Sequence, residues 1–183
     1  MQKHPLFFKD ESESYKFEET IDYFLSWTLR CADEKYTDNP LLNKYSKMIL
    51  SKLLYDDESR LENKIVQNVQ TWKQWANIDL CVHFTIDNQN YALIIENKMY
   101  SSIREGQLEK YMAIANNFYK NKPEFKTTFV FIRPDYEHET KFNEKGIVEK
   151  AEYKYYNLAQ LQDLLPSEVS GNDIFDEFWF YWK

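Results

Sequence analysis

Asp79 and the run Ile94-Ile95-Glu96-Asn97-Lys98 place two acids and a base at the ends of two apolar stretches, Ile78-Asp79-Leu80-Cys81-Val82 and Tyr91-Ala92-Leu93-Ile94-Ile95. Burying carboxylates and an ammonium costs on the order of several kcal/mol per ion unless the groups pair or hold a metal. A fold has little structural reason to set Glu96 and Lys98 directly after such a run. Two acids and a base around a divalent cation form an arrangement that cleaves phosphodiester bonds. Asp79 and Glu96 offer the hard carboxylate oxygens that Mg²⁺ or Mn²⁺ prefers. The backbone carbonyl of Asn97, between the two side chains, can join them as a metal ligand. A strand has a period of two, so Glu96 and Lys98 share a face. Lys98 then lies where it can orient or deprotonate an attacking water. Alone, an Asp entering a strand is usually satisfied locally, and Glu-x-Lys is a common surface ion pair. The conjunction is what carries the chemistry.

Several elements must position these groups. Tyr15 to about Arg30 has helical periodicity, with Phe17, Ile21, Phe24, Leu25, Thr28 and Leu29 on one side. Asp38-Asn39-Pro40 is a turn leading into a second amphipathic helix through Leu42, Tyr45, Met48, Ile49 and Leu53. The pattern then changes to strands over Lys64–Trp75, Asn77–Ile86 and Tyr91–Asn97. Asp87-Asn88-Gln89-Asn90 reads as a polar hairpin turn, which makes the second and third strands antiparallel neighbours. Ser102-Ile103-Arg104-Glu105 has capping-box spacing and predicts a helix from Ile103 to about Lys120. Phe129–Ile132 is then a buried strand, parallel to the third by a right-handed crossover. Tyr153–Tyr156 is a last strand, and Asn157-Leu158-Ala159-Gln160 opens a helix that ends before Pro166. Asp173 to Trp182 predicts an aromatic final helix, and residues 1–14 read as a loosely held polar arm.

Asp-x16-Glu-x-Lys resembles the motif of the PD-(D/E)XK nuclease superfamily. Gly106-Gln107-Leu108-Glu109-Lys110-Tyr111 matches the Gln-x3-Tyr feature on the crossover helix of RecB-like members, in which the Gln helps position the site or a substrate phosphate. Gln107 and Tyr111 lie one helical turn apart and face the same way. Phe24-Leu25-Ser26-Trp27, Ala32-Asp33, Phe131-Ile132-Arg133-Pro134-Asp135 and Tyr155-Tyr156-Asn157 are similar to segments of a bacterial subfamily, so the likeness spans about residues 17–180. The superfamily adds an acid from the first helix. Glu18 lies about 80° from the centre of the apolar face, Glu19 is nearly opposite and Asp22 lies between. Glu18 is the choice, although a solvated helix charge explains it equally well. Arg133 is a candidate phosphate contact and equally a strand-end charge. Asp135, Glu137, His138 and Glu139 have no ligand spacing and read as a loop. The C-terminal Phe175, Phe178, Trp179, Phe180 and Trp182 could stack bases, but their helical recurrence favours core packing.

Composition bounds the rest. The 183 residues suit one domain, and 14 Tyr, 13 Phe and 5 Trp supply a large aromatic core. Three isolated glycines exclude Rossmann and P-loop cradles, and three scattered histidines exclude a zincin site. Cys31 and Cys81 form no metal-binding spacing and fit a reducing cytoplasm. The N-terminus does not read as a signal peptide, and no apolar run approaches a membrane span. The charge of −7 argues against indiscriminate nucleic-acid binding but is compatible with an acidic metal site. The resemblance implies an α/β restriction-endonuclease-like fold, a mixed central sheet of three antiparallel strands, a crossover helix and a parallel fourth strand, flanked by helices. It also implies Mg²⁺- or Mn²⁺-dependent hydrolysis of nucleic acid, DNA ahead of RNA, in bacterial nucleic-acid processing or defence. A homodimer or a partner protein would supply target specificity. The rival reading is a catalytically silent nuclease-like module for binding or assembly.

Overall fold

A computed structural model describes residues 17–99, 101–134 and 144–181, with side chains from residue 19 onward. The N-terminal arm, Asp135, Glu137, His138, Glu139 and Trp182 lie outside the described residues. Helix α1 (Phe17–Cys31) and helix α2 (Pro40–Tyr55) come first. Pro40 opens α2 because its missing N–H falls where a helix has no acceptor to offer. The Asn39 side chain accepts the Leu42 N–H at 3.0 Å, and Asp56, left-handed at φ 64°, closes the helix.

Strands β1 (Val66–Trp75), β2 (Ile78–Ile86) and β3 (Gln89–Asn97) follow as an antiparallel meander. Helix α3 (Gln107–Tyr119) then crosses to β4 (Phe125–Arg133), which is parallel to β3. A short helix α4 (Lys145–Lys150) leads to β5 (Lys154–Asn157), parallel to β4. The sheet order is β1-β2-β3-β4-β5, the mixed sheet flanked by helices that an α/β restriction-endonuclease-like fold requires. Helices α5 (Leu158–Gln162) and α6 (Asp173–Asp176) come last, and the chain continues from α6 as a π-helical turn, Glu177–Tyr181.

Alternation along the strands sorts two cores onto the two faces of the sheet. Leu80, Val82, Leu93, Ile95, Val130 and Ile132 pack with α1, α2 and the C-terminal aromatics. Cys81, Ala92, Ile94, Phe129 and Phe131 pack with α3 and α4. Phe175, Phe178 and Trp179 are wholly buried, so the aromatic C-terminus serves the core rather than a base-stacking surface. Phe24 stacks on Phe178 with ring centroids 4.7 Å apart, and the Trp179 indole donates to Thr28 at 2.9 Å.

Three local expectations are corrected. The β2–β3 turn is only Asp87-Asn88, both with positive φ (49° and 65°), and β3 already begins at Gln89. Two left-handed residues give the turn the twist that adjoining strands need. The Ser102 capping box does not form. The Ile103 N–H is taken by Glu144 at 2.8 Å, and α3 starts only after left-handed Gly106 (φ 71°). The helix has no side-chain cap, and the Glu144 bond fixes the segment that precedes it. The predicted uniform final helix divides into one α-turn and the π-turn.

Strand β1 is bulged where its pairing with β2 shifts between Gln67 and Gln70, and Asn68 has φ 56°. The Val69 N–H bonds instead to the buried Asp33 carboxylate at 2.8 Å, while Asp33 also accepts from the Lys35 N–H at 3.1 Å. Just beyond, the Glu34 N–H donates to the Val66 carbonyl at 2.8 Å. The end of α1 thus clamps the bulge. Asp33→Ala strands a buried donor, and urea denaturation should show a loss of about 1–3 kcal/mol. An unchanged midpoint would mean that the bulge holds itself.

Candidate active site

The site forms at one end of β2 and β3, where the hairpin register sets Leu80 opposite Ile95 and brings Asp79 beside Glu96 and Asn97. Asp79 precedes Cys81 and Glu96 follows Ala92 and Ile94, so both carboxyls lie on the α3 face. The Asn97 N–H donates to Asp79 Oδ2 at 2.8 Å, and the Gln74 amide donates to Oδ1 at 3.2 Å. Lys98 Nζ lies 3.0 Å from Glu96 Oε1.

Helix α3 brings Gln107 and Tyr111 to the same place. Gln107 Nε2 donates to Glu96 Oε1 at 2.6 Å and lies 3.4 Å from the Tyr111 hydroxyl. The Arg104 N–H fixes the other end of that amide, donating to Gln107 Oε1 at 3.2 Å. Oε1 of Glu96 is therefore held by an amide and an ammonium. Its Oε2 is buried and has no hydrogen-bond donor among the described residues. An orphan carboxylate oxygen is expensive in a protein interior, and it marks a place for a cation or a proton.

The opposite face contributes a third acid. Asp22 on α1 is 3% exposed, and its Oδ1 accepts a hydrogen bond from the Asn97 side-chain amide. Asn97 therefore bridges two acids through the sheet, Asp79 by its backbone N–H and Asp22 by its side chain. Its own Oδ1 is a second buried acceptor without a donor among the described residues. Of the three acids weighed on α1, Glu19 is 72% exposed and 3.8 Å from Lys73, pointing away from the cluster. Glu18 precedes Asp22 by one helical turn, and its side chain lies outside the described residues. Asp22 is the first-helix acid that the fold brings to Asn97. The helical wheel left it between two alternatives because its polar partner comes from a strand about 75 residues on, which no local pattern reports.

Arg133 is corrected. Its side chain is fully buried, pairs with Glu144 and donates to the carbonyls of Met99 and Ser101 at 3.3 and 3.0 Å. It has no surface from which to reach a phosphate. Together with Glu144, which also accepts the Ile103 N–H, it anchors the segment that leads from Lys98 to α3.

Burial and mutual repulsion raise the acids. Asp22 is pushed up to about 8, first by burial and then by the charge of Asp79, with Lys73 and the Asn97 amide opposing. Glu96 is also pushed up to about 8 by burial and by Asp79, against the pull of Lys98. Asp79 rises too, mainly by burial, with the Asn97 N–H and Lys98 holding it back. When one of Asp79 and Glu96 is protonated, the two carboxyls share that proton as a hydrogen bond. Among the described residues no three His, Cys, Asp or Glu side chains gather as a ligand set. A cation here would be held by two carboxylates together with neutral oxygens. That donor set suits a hard ion that keeps several waters.

A family model of the PD-(D/E)XK nuclease superfamily matches residues 17–171. No curated protein and no solved structure matches the chain significantly. No helix among the described residues is long and apolar enough to cross a membrane.

Acids raised in the fold bind protons that the unfolded chain has already released, so stability falls as pH rises between the two values. For Asp22 that window opens near the ordinary value of 3.8 and closes near 8. Metal-free protein should therefore lose thermal stability from about pH 5 to pH 8, and Asp22→Asn should flatten the slope. A slope identical in the variant would place the titrating group elsewhere.

Proposed function

Because the chain belongs to the PD-(D/E)XK nuclease superfamily, we propose that it hydrolyses phosphodiester bonds with a divalent cation, Mg²⁺ or Mn²⁺, and that DNA is its substrate. The observation that carries this reading is the orphaned Oε2 of Glu96, set beside Asp79 and one strand step from Lys98. A silent module has no use for buried acids that repel one another once ionised. Asp79, Glu96 and the Asn97 carbonyl would hold the cation, which supplies Lewis-acid neutralisation of charge at the phosphate.

The chain's own groups do the rest. Gln107 and Lys98 both grip Oε1 of Glu96, which fixes the carboxylate plane and turns Oε2 toward the site. Lys98 is 15% exposed, enough to meet a water while its charge stays undiluted by bulk solvent. It orients the attacking water and takes part in the proton transfer. Tyr111 steadies Gln107 and offers a hydroxyl to a phosphate oxygen. Asp22, through Asn97, positions the strand end rather than touching substrate. Bacterial nucleic-acid processing or defence is the setting that this chemistry suits, with target choice supplied by a second copy or a partner protein.

Binding of the cation to the native state should raise the melting temperature in Mg²⁺ or Mn²⁺, and Asp79→Asn should abolish the gain. Lys98→Ala keeps both acids and should retain the gain while cleavage falls by about 10²-fold or more. Glu96→Gln should lose both together. Cleavage undiminished in Lys98→Ala would sink the assignment of Lys98. Metal and DNA binding by the wild type, with no cut in supercoiled, linear, single-stranded or RNA substrates, would establish the silent module instead.

A further inference from the structure

On the α3 face of the sheet, running from Trp75 toward the end of α3 remote from Gln107 and the acids, lies a row of aromatic rings that the core leaves partly uncovered. Trp72 meets His83 edge-on with ring centroids 4.7 Å apart, and His83 bonds to the Tyr119 hydroxyl at 2.5 Å. Tyr119 packs on Phe118 at 5.0 Å, and Phe118 meets Trp75 at 5.0 Å. Tyr119 is buried, whereas Trp72 and Phe118 remain 40% and 41% exposed.

The backbone is bent to assemble this row. Strict alternation would put Trp72 and Trp75 on opposite faces of β1. Gln74, between them, has φ 53°, an unfavourable conformation for a residue with a side chain. That bend brings Trp75 round to the same core as Tyr119. The same Gln74 donates to Asp79 Oδ1. One strained residue thus touches the reacting centre and aims the neighbouring indole. Charge completes the picture: Lys122 Nζ sits 3.6 Å over the Phe118 ring and is the charged group that perturbs His83. The exposed residues that flank Trp72 on this face, Gln70 and Gln74, are neutral.

We propose that Trp72, Trp75 and Phe118 form a base-stacking ledge for single-stranded DNA, with Lys122 leaving the Phe118 ring for a phosphate, and that the ledge leads the strand toward Asp79 and Glu96. The proposal rests on the nuclease reading for the destination of the strand, not for the binding itself. Unpaired bases expose their faces to such rings, while a duplex keeps its bases stacked on one another. The ledge therefore selects strandedness and tolerates sequence. A positive charge beside the rings answers the phosphates locally in a chain whose net charge is −7.

The test is fluorescence anisotropy of a labelled 12-nucleotide single strand and of the matching duplex, with Ca²⁺ in place of Mg²⁺ and intactness checked on a gel. The wild type should prefer the single strand by about tenfold, the scale of one stacked base. Trp72→Ala and Phe118→Ala should each weaken single-strand binding about tenfold, and Trp72→Phe should restore most of it. Both positions are exposed, so melting temperatures should hold; Phe118→Ala serves if Trp72→Ala melts early. Unchanged single-strand affinity in these variants, or equal loss on the duplex, overturns the ledge. A chain that cuts DNA with Mn²⁺ while the variants bind as the wild type loses the ledge and keeps the nuclease. A chain that binds single strands through these rings but cuts nothing loses the nuclease and keeps the ledge.

Discussion

Three acids held at one sheet end set the terms for everything around them. Asp22, Asp79 and Glu96 repel one another in a medium where charge is poorly screened. Such a cluster persists because the acids take up protons or a cation, and because the surrounding scaffold is stiff enough to hold them together. The stiffness comes from β3, which is buried between β2 and β4 and covered on both faces. Its register with both neighbours is regular throughout, without a bulge. Irregularity is confined to the edge.

The flanking helices divide the work by face. Helix α1 brings one acid to the Asn97 side chain, and α3 brings an amide to Glu96. Asn97 is the joint between them, because its main chain and side chain address different acids on different sides of the sheet. Any shift of α1 along the sheet is thereby felt at Asp79. The fully buried Arg133–Glu144 pair has a comparable role at the other approach, holding the chain between Lys98 and α3 to the end of β4. A buried ion pair of this kind contributes little net stability, but breaking it leaves a costly charge. Its value lies in fixing a position.

What could be read from the sequence was whatever local periodicity encodes. Alternation gave β2, β3 and their pairing, and with them the placement of Asp79, Glu96 and Lys98, because a strand's side-chain direction follows from counting residues. The Asn157 capping box was equally visible, since all its partners lie within four residues; the structure forms it with bonds of 2.9 and 3.0 Å. Features that failed were those decided by distant groups. Ser102 has the right spacing for a cap, but Glu144, about 40 residues away, ties Ile103 into an extended approach and the helix starts only at Gln107. Arg133 looked like a free strand-end charge for the same reason. The six-residue helix α4 carries too short a pattern to register. Asp22 was ambiguous because a helical wheel ranks angles, whereas burial of an acid depends on who meets it.

The bulge in β1 has a consequence for how copies of this molecule can meet. β1 is an outer strand of the sheet, the position where an unpaired ladder invites another chain to add itself. Here Asn68 and Gln74 twist the strand out of a flat template. Two of its backbone groups are already claimed, the Val69 N–H by Asp33 and the Val66 carbonyl by Glu34. A second copy cannot extend the sheet across this border without first breaking those bonds and straightening both kinks. The β1 border is closed to fibril-like growth, and an assembly across it has to be built from side chains rather than from shared strands.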